Sequence, residues 1–423
     1  MLTFACENQP MTKAKKKGSA VVRIMITVRR WELWLLTLLL VLAAVGYVVY
    51  RGLYGRGEVS IVDSLGGNIF PSAIISTAAT DGGEGLLLPC DTPYVGNPSS
   101  IVGVRVRSRR RNTRVRVELA ETPFFRRTVS EFVLPREWTD YVVYPDMVWN
   151  YEALRQNVQA TPVSVMVQVS VDGRAAEERV RTFSVRSLNE CMLGYYLLNR
   201  DGKRQQFVNT RQLFAAYVNE DSPQIDRLLR EALNTRIVNR FVGYQKDSAA
   251  VVMQVYALWN VLQRRGFKYS SISNSSLSSN VVFAQRVRTL SDALEASQIN
   301  CVDGSVLFAS LLKAVNINPL LVRLPGHMFV GFYTDRQAQH ASFLETTMIG
   351  DVNLDDFFPE EKLDSTVQLL TKNEASRITF NKSMEYARRT MNTYQAQLDS
   401  QTLGYMVLPI TRDIRQHIQP IGK

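Results

Sequence analysis

The chain has 423 residues, 46% of them hydrophobic, and a net charge of +11; it is too long for one ordinary domain and too apolar to be a disordered polyelectrolyte. The charge is local: residues 1–30 carry seven Lys and Arg against Glu7, residues 101–120 carry seven Arg against Glu118, and the remainder is close to neutral. That distribution argues against nucleic acid as a partner, because no basic face extends over the rest of the chain.

The first basic block, residues 1–30, reads as a cytoplasmic tail. It is followed by an uncharged run, LWLLTLLLVLAAVGYVVY, at residues 33–50. Eighteen residues at about 1.5 Å each suffice to approach a hydrocarbon core of about 30 Å. Trp31, Trp34, Tyr47 and Tyr50 stand near its ends, where amphipathic rings favour an interface. The expectation is a single transmembrane helix over 31–50 that anchors the chain in a membrane. The N-terminus is then cytoplasmic and the main body extracytoplasmic, in a periplasm-like compartment. A cleaved signal peptide and a buried core helix are the competing readings, disfavoured by the length of the run and the lack of a clean cleavage site. Of the four cysteines, Cys6 falls on the cytoplasmic side, while Cys90 and Cys191 flank the next module and are candidates for a disulfide. Cys301 is the odd one left.

Residues 51–100 are rich in Gly, Ser, Ala and Pro and read as a linker with one short strand near 58–62. Over 101–190 the apolar period changes to two, with VGVRVRS, TRVRVEL and a pair of strands around Asp172-Gly173. Short strands at turn-sized spacing predict a small β-sandwich, immunoglobulin-like, with a brief helix near 151–156. Arg105, Arg107, Arg109, Arg110 and Arg111 line this module, the last three as a hairpin tip. They form a solvated strand face or, as the alternative, a contact for an anionic envelope component.

From residue 200 to 423 apolar residues recur at three- and four-residue spacing, which predicts helices in RQLFAAYVNEDSPQIDRLLREALNTRIV, AAVVMQVYALWNVLQRRG, QRVRTLSDALEAS and 374–399. A serine-rich loop at 270–280 separates two of them, and GYMVLPI and TRDIRQHI close the chain as a strand and a short helix. The densest chemistry lies in INCVDGSVLFASLLKAVNINPLLVRLPGHMFVGFY. Asn300 suits the cap of a helix that begins at Cys301 and carries Asp303 in its first turn. A helix N-terminus favours an anion, so the position suits a nucleophilic thiolate. Two strands follow, the second starting at His327. If that strand turns back through a five-residue loop centred on Arg336, His327 faces Glu345, whose carboxylate is then placed to orient the imidazole. Asp351 is the fallback carboxylate. As oxyanion donors the candidates are the backbone N–H of Cys301 and the side chains of Gln285 and Gln254.

The order NCVDGSVLFASLLKAV, GHMFVGFY, LETT resembles the transglutaminase-like superfamily, of papain-type fold, whose core is a Cys-x-Asp helix, a strand that begins with His and a strand with an acidic residue before Thr. The likeness covers residues 254–350. The family usually has Asp before Pro-Thr where this chain has Glu345-Thr346-Thr347, and it commonly has an aromatic two positions after the His, as Phe329 is here. The resemblance implies that Cys301 is the nucleophile, His327 the general base and Glu345 the third member, and that the last domain is an α+β, transglutaminase-like unit. The chain as a whole is then read as α+β, with a transmembrane helix, a β-sandwich and the catalytic domain in series. The expected function is acyl transfer through a cysteine thioester on a protein or peptide substrate, with hydrolysis favoured over crosslinking. No cofactor is expected: CxxC and HExxH are absent, His340 and His417 have no matching ligands, and no calcium-loop pattern occurs. A catalytically silent adaptor that binds through the β-module is the reading from a different class.

Overall fold

A computed structural model of the chain describes residues 30–54, 59–174, 177–199, 201–270, 279–295, 298–350 and 353–422. The basic tail, Cys6, most of the serine-rich loop and Asp351 lie outside the described residues. The chain divides into two units, Met1–Arg56 and Gly57–Lys423.

The first unit contributes helix α1 (Arg30–Tyr54), and here the expectation of a membrane anchor is corrected. Among the described residues no helix is long and apolar enough to cross a membrane. The transmembrane element, and the assignment of a cytoplasmic N-terminus and an extracytoplasmic body that depended on it, are therefore withdrawn.

The second unit is a mixed α/β body with several sheets. Its first part runs β1 (Ser60–Val62), β2 (Asn68–Ile69), α2 (Pro71–Thr77), β3 (Tyr94–Gly96), β4 (Gly103–Arg107) and β5 (Thr113–Leu119). It continues with β6 (Phe125–Arg126), β7 (Thr128–Leu134), β8 (Asp140–Tyr144), β9 (Val148–Trp149), α3 (Tyr151–Gln156), β10 (Thr161–Val171) and β11 (Glu177–Val185). The larger sheets have the orders β1-β4-β8-β3 and β2-β11-β10-β5-β7, and their apolar faces contribute to one core. Alternation does the sorting: Val115, Val117 and Leu119 of β5 and Val165, Val167 and Val169 of β10 are buried, while Arg114 and Arg116 face outward. Each buried valine contributes about 1.5 kcal/mol or more.

Two local expectations change here. Residues 59–100, whose composition suggested a spacer, supply β1 and β3 to one sheet and β2 to the other. Composition hides this, because strands of two or three residues have no visible period. Residues 108–112 join β4 to β5 across the two sheets and are not a hairpin tip, since those strands pair with β8 and with β7 and β10 respectively. The arginines of this region meet carboxylates: Arg105 with Asp91, Arg110 with Asp172 at 3.0 Å and Arg111 with Glu137 at 3.7 Å. Cys90 and Cys191 are free thiols, Cys191 fully buried on a strand, so the candidate disulfide is not formed.

The remainder runs β12 (Glu190–Leu198), β13 (Arg204–Asn209), α4 (Pro223–Asn234), α5 (Ser248–Arg264), β14 (Lys268–Tyr269), β15 (Val282–Arg286), α6 (Leu290–Glu295), β16 (Gln298–Ile299) and α7 (Cys301–Ala314). It ends with β17 (Pro319–Leu324), β18 (His327–Tyr333), β19 (Ala341–Leu344), α8 (Leu363–Val367), α9 (Lys372–Asp399), β20 (Met406–Pro409) and α10 (Arg412–His417). Part of the QRVRT segment read as helical is strand β15, paired with β12, and residues 211–217 form a 3-10 turn. The sheet that carries His327 has the order β19-β18-β17-β20 and packs against α7 and α9. Leu321, Met328, Val330 and Phe332 pack into the main core with α7, while Val322, Leu324 and Phe329 pack with Ala387 and Leu398 of α9. The serine, threonine and alanine positions of α9 (Ser376, Thr379, Ser383, Ala387) recur every three or four residues and let that long helix approach closely. Thr371 and Glu374 start it with a capping box.

Candidate active site

Asn300 caps α7: its Oδ1 accepts the Asp303 N–H at 2.8 Å, so the helix begins at Cys301. The remaining first-turn N–H groups and the helix dipole present positive potential at the sulfur. Asp303, 1% exposed, ties the turn down from below by accepting the Arg288 N–H at 3.0 Å, with Arg288 Nε at 3.7 Å from its second oxygen. Burial raises the Asp303 carboxyl pKa, and the Arg288 contacts pull it back.

His327 opens β18 opposite Leu324 of β17, across the Pro325-Gly326 turn. Its Nε2 lies 2.7 Å from Glu345 Oε2, which leaves Nδ1 for the hydrogen bond with Cys301. Phe329 stacks on the imidazole at 6.0 Å and 29°. Burial works to deprotonate the ring, but the hydrogen bonds to Cys301 and Glu345 and their charges outweigh it, and the His327 pKa is pushed up to about 10.

Glu345 is 0% exposed and its oxygens divide the labour. Oε2 takes His327, while Oε1 accepts the Thr347 N–H at 3.0 Å and the Thr347 hydroxyl at 2.7 Å. Its backbone is gripped by Ser383 of α9, whose hydroxyl accepts the Glu345 N–H at 2.8 Å and donates to the Glu345 carbonyl at 3.2 Å. A buried carboxylate is tolerable only with such a full set of partners. The register is not the expected one. Val330 pairs with Leu344 and Tyr333 with Ala341, which shifts the hairpin by two residues, because residues 334–340 form a seven-residue loop closed by Asp335. An even shift keeps side chains on their faces. Strand β19 ends at Leu344, and Glu345 reaches His327 from the start of the 3-10 turn Thr346–Met348.

The structure thus brings Cys301, His327 and Glu345 together and leaves the two glutamines aside. Gln254 is buried and occupied with Val242, Gly243 and Ala250 backbone groups. Gln285 donates to the Arg286 carbonyl. Sequence reasoning missed Tyr269, whose side chain hydrogen-bonds Cys301. The short parallel pair β14 and β16 sets Tyr269 beside Ile299, two residues before the nucleophile position. Burial, then the Cys301 and Glu345 charges, push the Tyr269 pKa up to about 12, so the phenol stays a hydrogen donor. Thr346 was also missed: its hydroxyl lies 3.0 Å from Ser305 Oγ, which donates to the Cys301 carbonyl at 2.6 Å, and it stands where a side chain on Gly304 would be, 3.3 Å from that Cβ position. No pattern in the chain marks these residues, since each contact joins distant segments.

A cavity of about 290 Å³ lies elsewhere, lined by residues such as Glu152, Arg155, Tyr217, Asn219 and Ser291, and contains none of the three. Cys301 itself is 6% exposed, Tyr269 is 40% exposed and the His327 side chain 28% exposed. No family model matches the chain, and no curated protein matches it in sequence.

Proposed function

We propose that the protein is a cysteine acyl-transfer enzyme of the transglutaminase-like kind that cleaves peptide or amide bonds through a thioester on Cys301, with water as acceptor. The observation that carries this reading is the continuous chain Cys301, His327, Glu345 with the ring held in its protonated form. A thiol at a helix start, an imidazole and a buried carboxylate have separate bland explanations; their hydrogen-bonded sequence fits nucleophilic catalysis.

With the proton resting on His327, the working pair is thiolate and imidazolium. The Cys301 sulfur attacks the carbonyl carbon, and the oxyanion that forms meets the N–H groups at the start of α7 and the Tyr269 hydroxyl. Imidazolium gives its proton to the leaving amine as the C–N bond breaks, which leaves the thioester and a neutral ring. The ring then takes a proton from water as water adds to the thioester. Release of the acid breaks the C–S bond and restores thiolate and imidazolium. Glu345 keeps the ring oriented throughout and favours its charged form. The arginine strands of the β-region, being paired with carboxylates, give less support to a purely electrostatic adaptor.

The test uses the full-length chain with 4-nitrophenyl acetate. An acetyl group on Cys301, detected by peptide mass spectrometry and removed by hydroxylamine, is expected in the native protein and absent from His327→Ala. If Cys301 acquires acetyl no faster in the folded chain than in urea, the enzyme reading fails and the adaptor takes its place.

A further inference from the structure

The cavity of about 290 Å³ that lies apart from Cys301 falls at the small end of the roughly 300–1,000 Å³ found for small-molecule sites. Its walls come from separate stretches of chain, among them α3, residues 217–222, residues 289–291 and residues 421–422. On α3, Glu152 and Arg155 stand three residues apart, close enough on a helix to pair. They do not pair: Glu152 Oε1 accepts from Gln156 Nε2 at 2.7 Å, Arg155 Nη1 donates to the Ile421 carbonyl at 2.8 Å, and among the described residues neither has an ion-pair partner. Asn219 is 6% exposed; its Oδ1 accepts the Asp221 N–H at 3.2 Å, and among the described residues its amide nitrogen has no hydrogen-bond partner. A buried amide donor left open onto a polar cavity calls for water or a ligand. Gly422 keeps the space before that amide clear, since a Cβ there would lie 2.9 Å from Asn219 Nδ2. Ser291 adds a second neutral donor, because its Oγ already accepts from Gln224 Nε2 at 2.9 Å and its own hydrogen is left over. An anion would thus meet a guanidinium, an amide and a hydroxyl, and a cation would meet the exposed Glu152 carboxylate. The apolar part of the lining, Leu188, Leu290 and Ile421, offers an uncharged side chain a place to pack.

We propose that this cavity is a binding site for a free α-amino acid with an uncharged side chain, its carboxylate held by Arg155, Asn219 and Ser291 and its ammonium by Glu152. A plain carboxylate of the same size leaves Glu152 unanswered, and a plain amine leaves Arg155 so, which gives the zwitterion its advantage. The site is separate from Cys301 and does not rest on the acyl-transfer reading.

The experiment follows thermal unfolding of the full-length chain against rising concentrations of L-valine, L-leucine, L-methionine and L-glutamine, each beside its N-acetyl derivative, which lacks the ammonium, and its amide, which lacks the carboxylate. A ligand that ties separate stretches together raises Tm by mass action. A saturable rise is expected with at least one of the amino acids, and its N-acetyl and amide derivatives should bind about tenfold more weakly. Arg155→Gln should weaken binding about tenfold. Gly422→Ala leaves the Arg155 contact with Ile421 in place and fills the space before Asn219, and it should weaken binding by a similar factor, while Cys301→Ala should bind as the native chain does. The absence of a Tm rise with any of the amino acids overturns the proposal, as does a rise that survives undiminished in both Arg155→Gln and Gly422→Ala. Equal binding of an N-acetyl derivative overturns the assignment of the ammonium to Glu152 and with it the amino acid as ligand.

Discussion

The two halves of the Gly57–Lys423 unit handle charge in opposite ways. In the β-region, many ionic side chains stand on outward strand faces and meet in loose, solvated pairs such as Arg107 with Asp140 at 3.9 Å, where the arginine side chain is 56% exposed, although Arg181 with Asp63 and Arg186 with Glu190 are close and more buried. Around Cys301 the ionic groups are few and buried, and each carboxylate has fixed partners: Glu345 has His327 and Thr347, while Asp303 accepts the Arg288 N–H on one oxygen and has Arg288 Nε at 3.7 Å from the other. Water screens the first kind and makes each pair almost dispensable, while the second kind is tolerated only as a complete set. A region that can lose a charge without consequence is a scaffold, and one that cannot is where a substitution is most informative.

Substitutions can break or sharpen that contrast. Cys301→Ala should have the largest effect, a loss of hydroxylamine-sensitive acylation on the order of 10⁴-fold, with the far-ultraviolet circular dichroism spectrum unchanged; acylation that persists would move the nucleophile elsewhere. Glu345→Gln keeps the shape and removes the charge. It should lower the acylation rate on the order of 10²-fold or more and destabilise the chain by about 3 kcal/mol in urea unfolding, and a change below about 1 kcal/mol would show that the buried set is not interdependent. Ser383→Ala, which removes a hydroxyl partner from each backbone group of Glu345, should cost about 1–2 kcal/mol.

The protonation of His327 gives a fourth handle. Its folded pKa, about 10, lies above the ordinary value of 6.5, so protons favour the fold. The stability it contributes is complete below pH 6.5 and is lost as pH rises through about 10. The Tm advantage of the native chain over His327→Gln should therefore shrink between those limits, by about 2 °C or more. An advantage that grows with pH would mean that the ring is neutral at rest and acts first as a base. The smallest effect is expected for Arg107→Ala and Arg111→Ala, each within about 0.5 kcal/mol.

Local chemistry made the position of Cys301 at a helix start legible. Asn300, Asp303 and the apolar face of α7 lie within a few turns of each other in sequence, and helix starts are specified by such neighbours. His327 at a strand start was visible for the same reason. The partnership with Glu345 was readable as far as the face and not as far as the rung, because Asp335 enlarges the loop by hydrogen-bonding Gln339 and His340, a device that two-fold periodicity does not encode. Tyr269 and Ser383 were opaque. Each reaches the site through pairing or packing with a segment tens of residues away, and nothing in its own neighbourhood marks it. Helix α1 was read as a membrane span from its uncharged run, whereas among the described residues no helix is long and apolar enough to cross a membrane.

The order β19-β18-β17-β20 has a consequence for the timing of synthesis. The nucleophile, the ring and the carboxylate leave the ribosome within 45 residues of one another, but Ser383 on α9 and strand β20, which completes the sheet beside β17, follow later. Elongation over the roughly hundred residues from Cys301 to β20 takes about 5–20 s. Throughout that interval the Cys301, His327 and Glu345 segments exist without the helix residue that grips the Glu345 backbone and without the strand that completes their sheet.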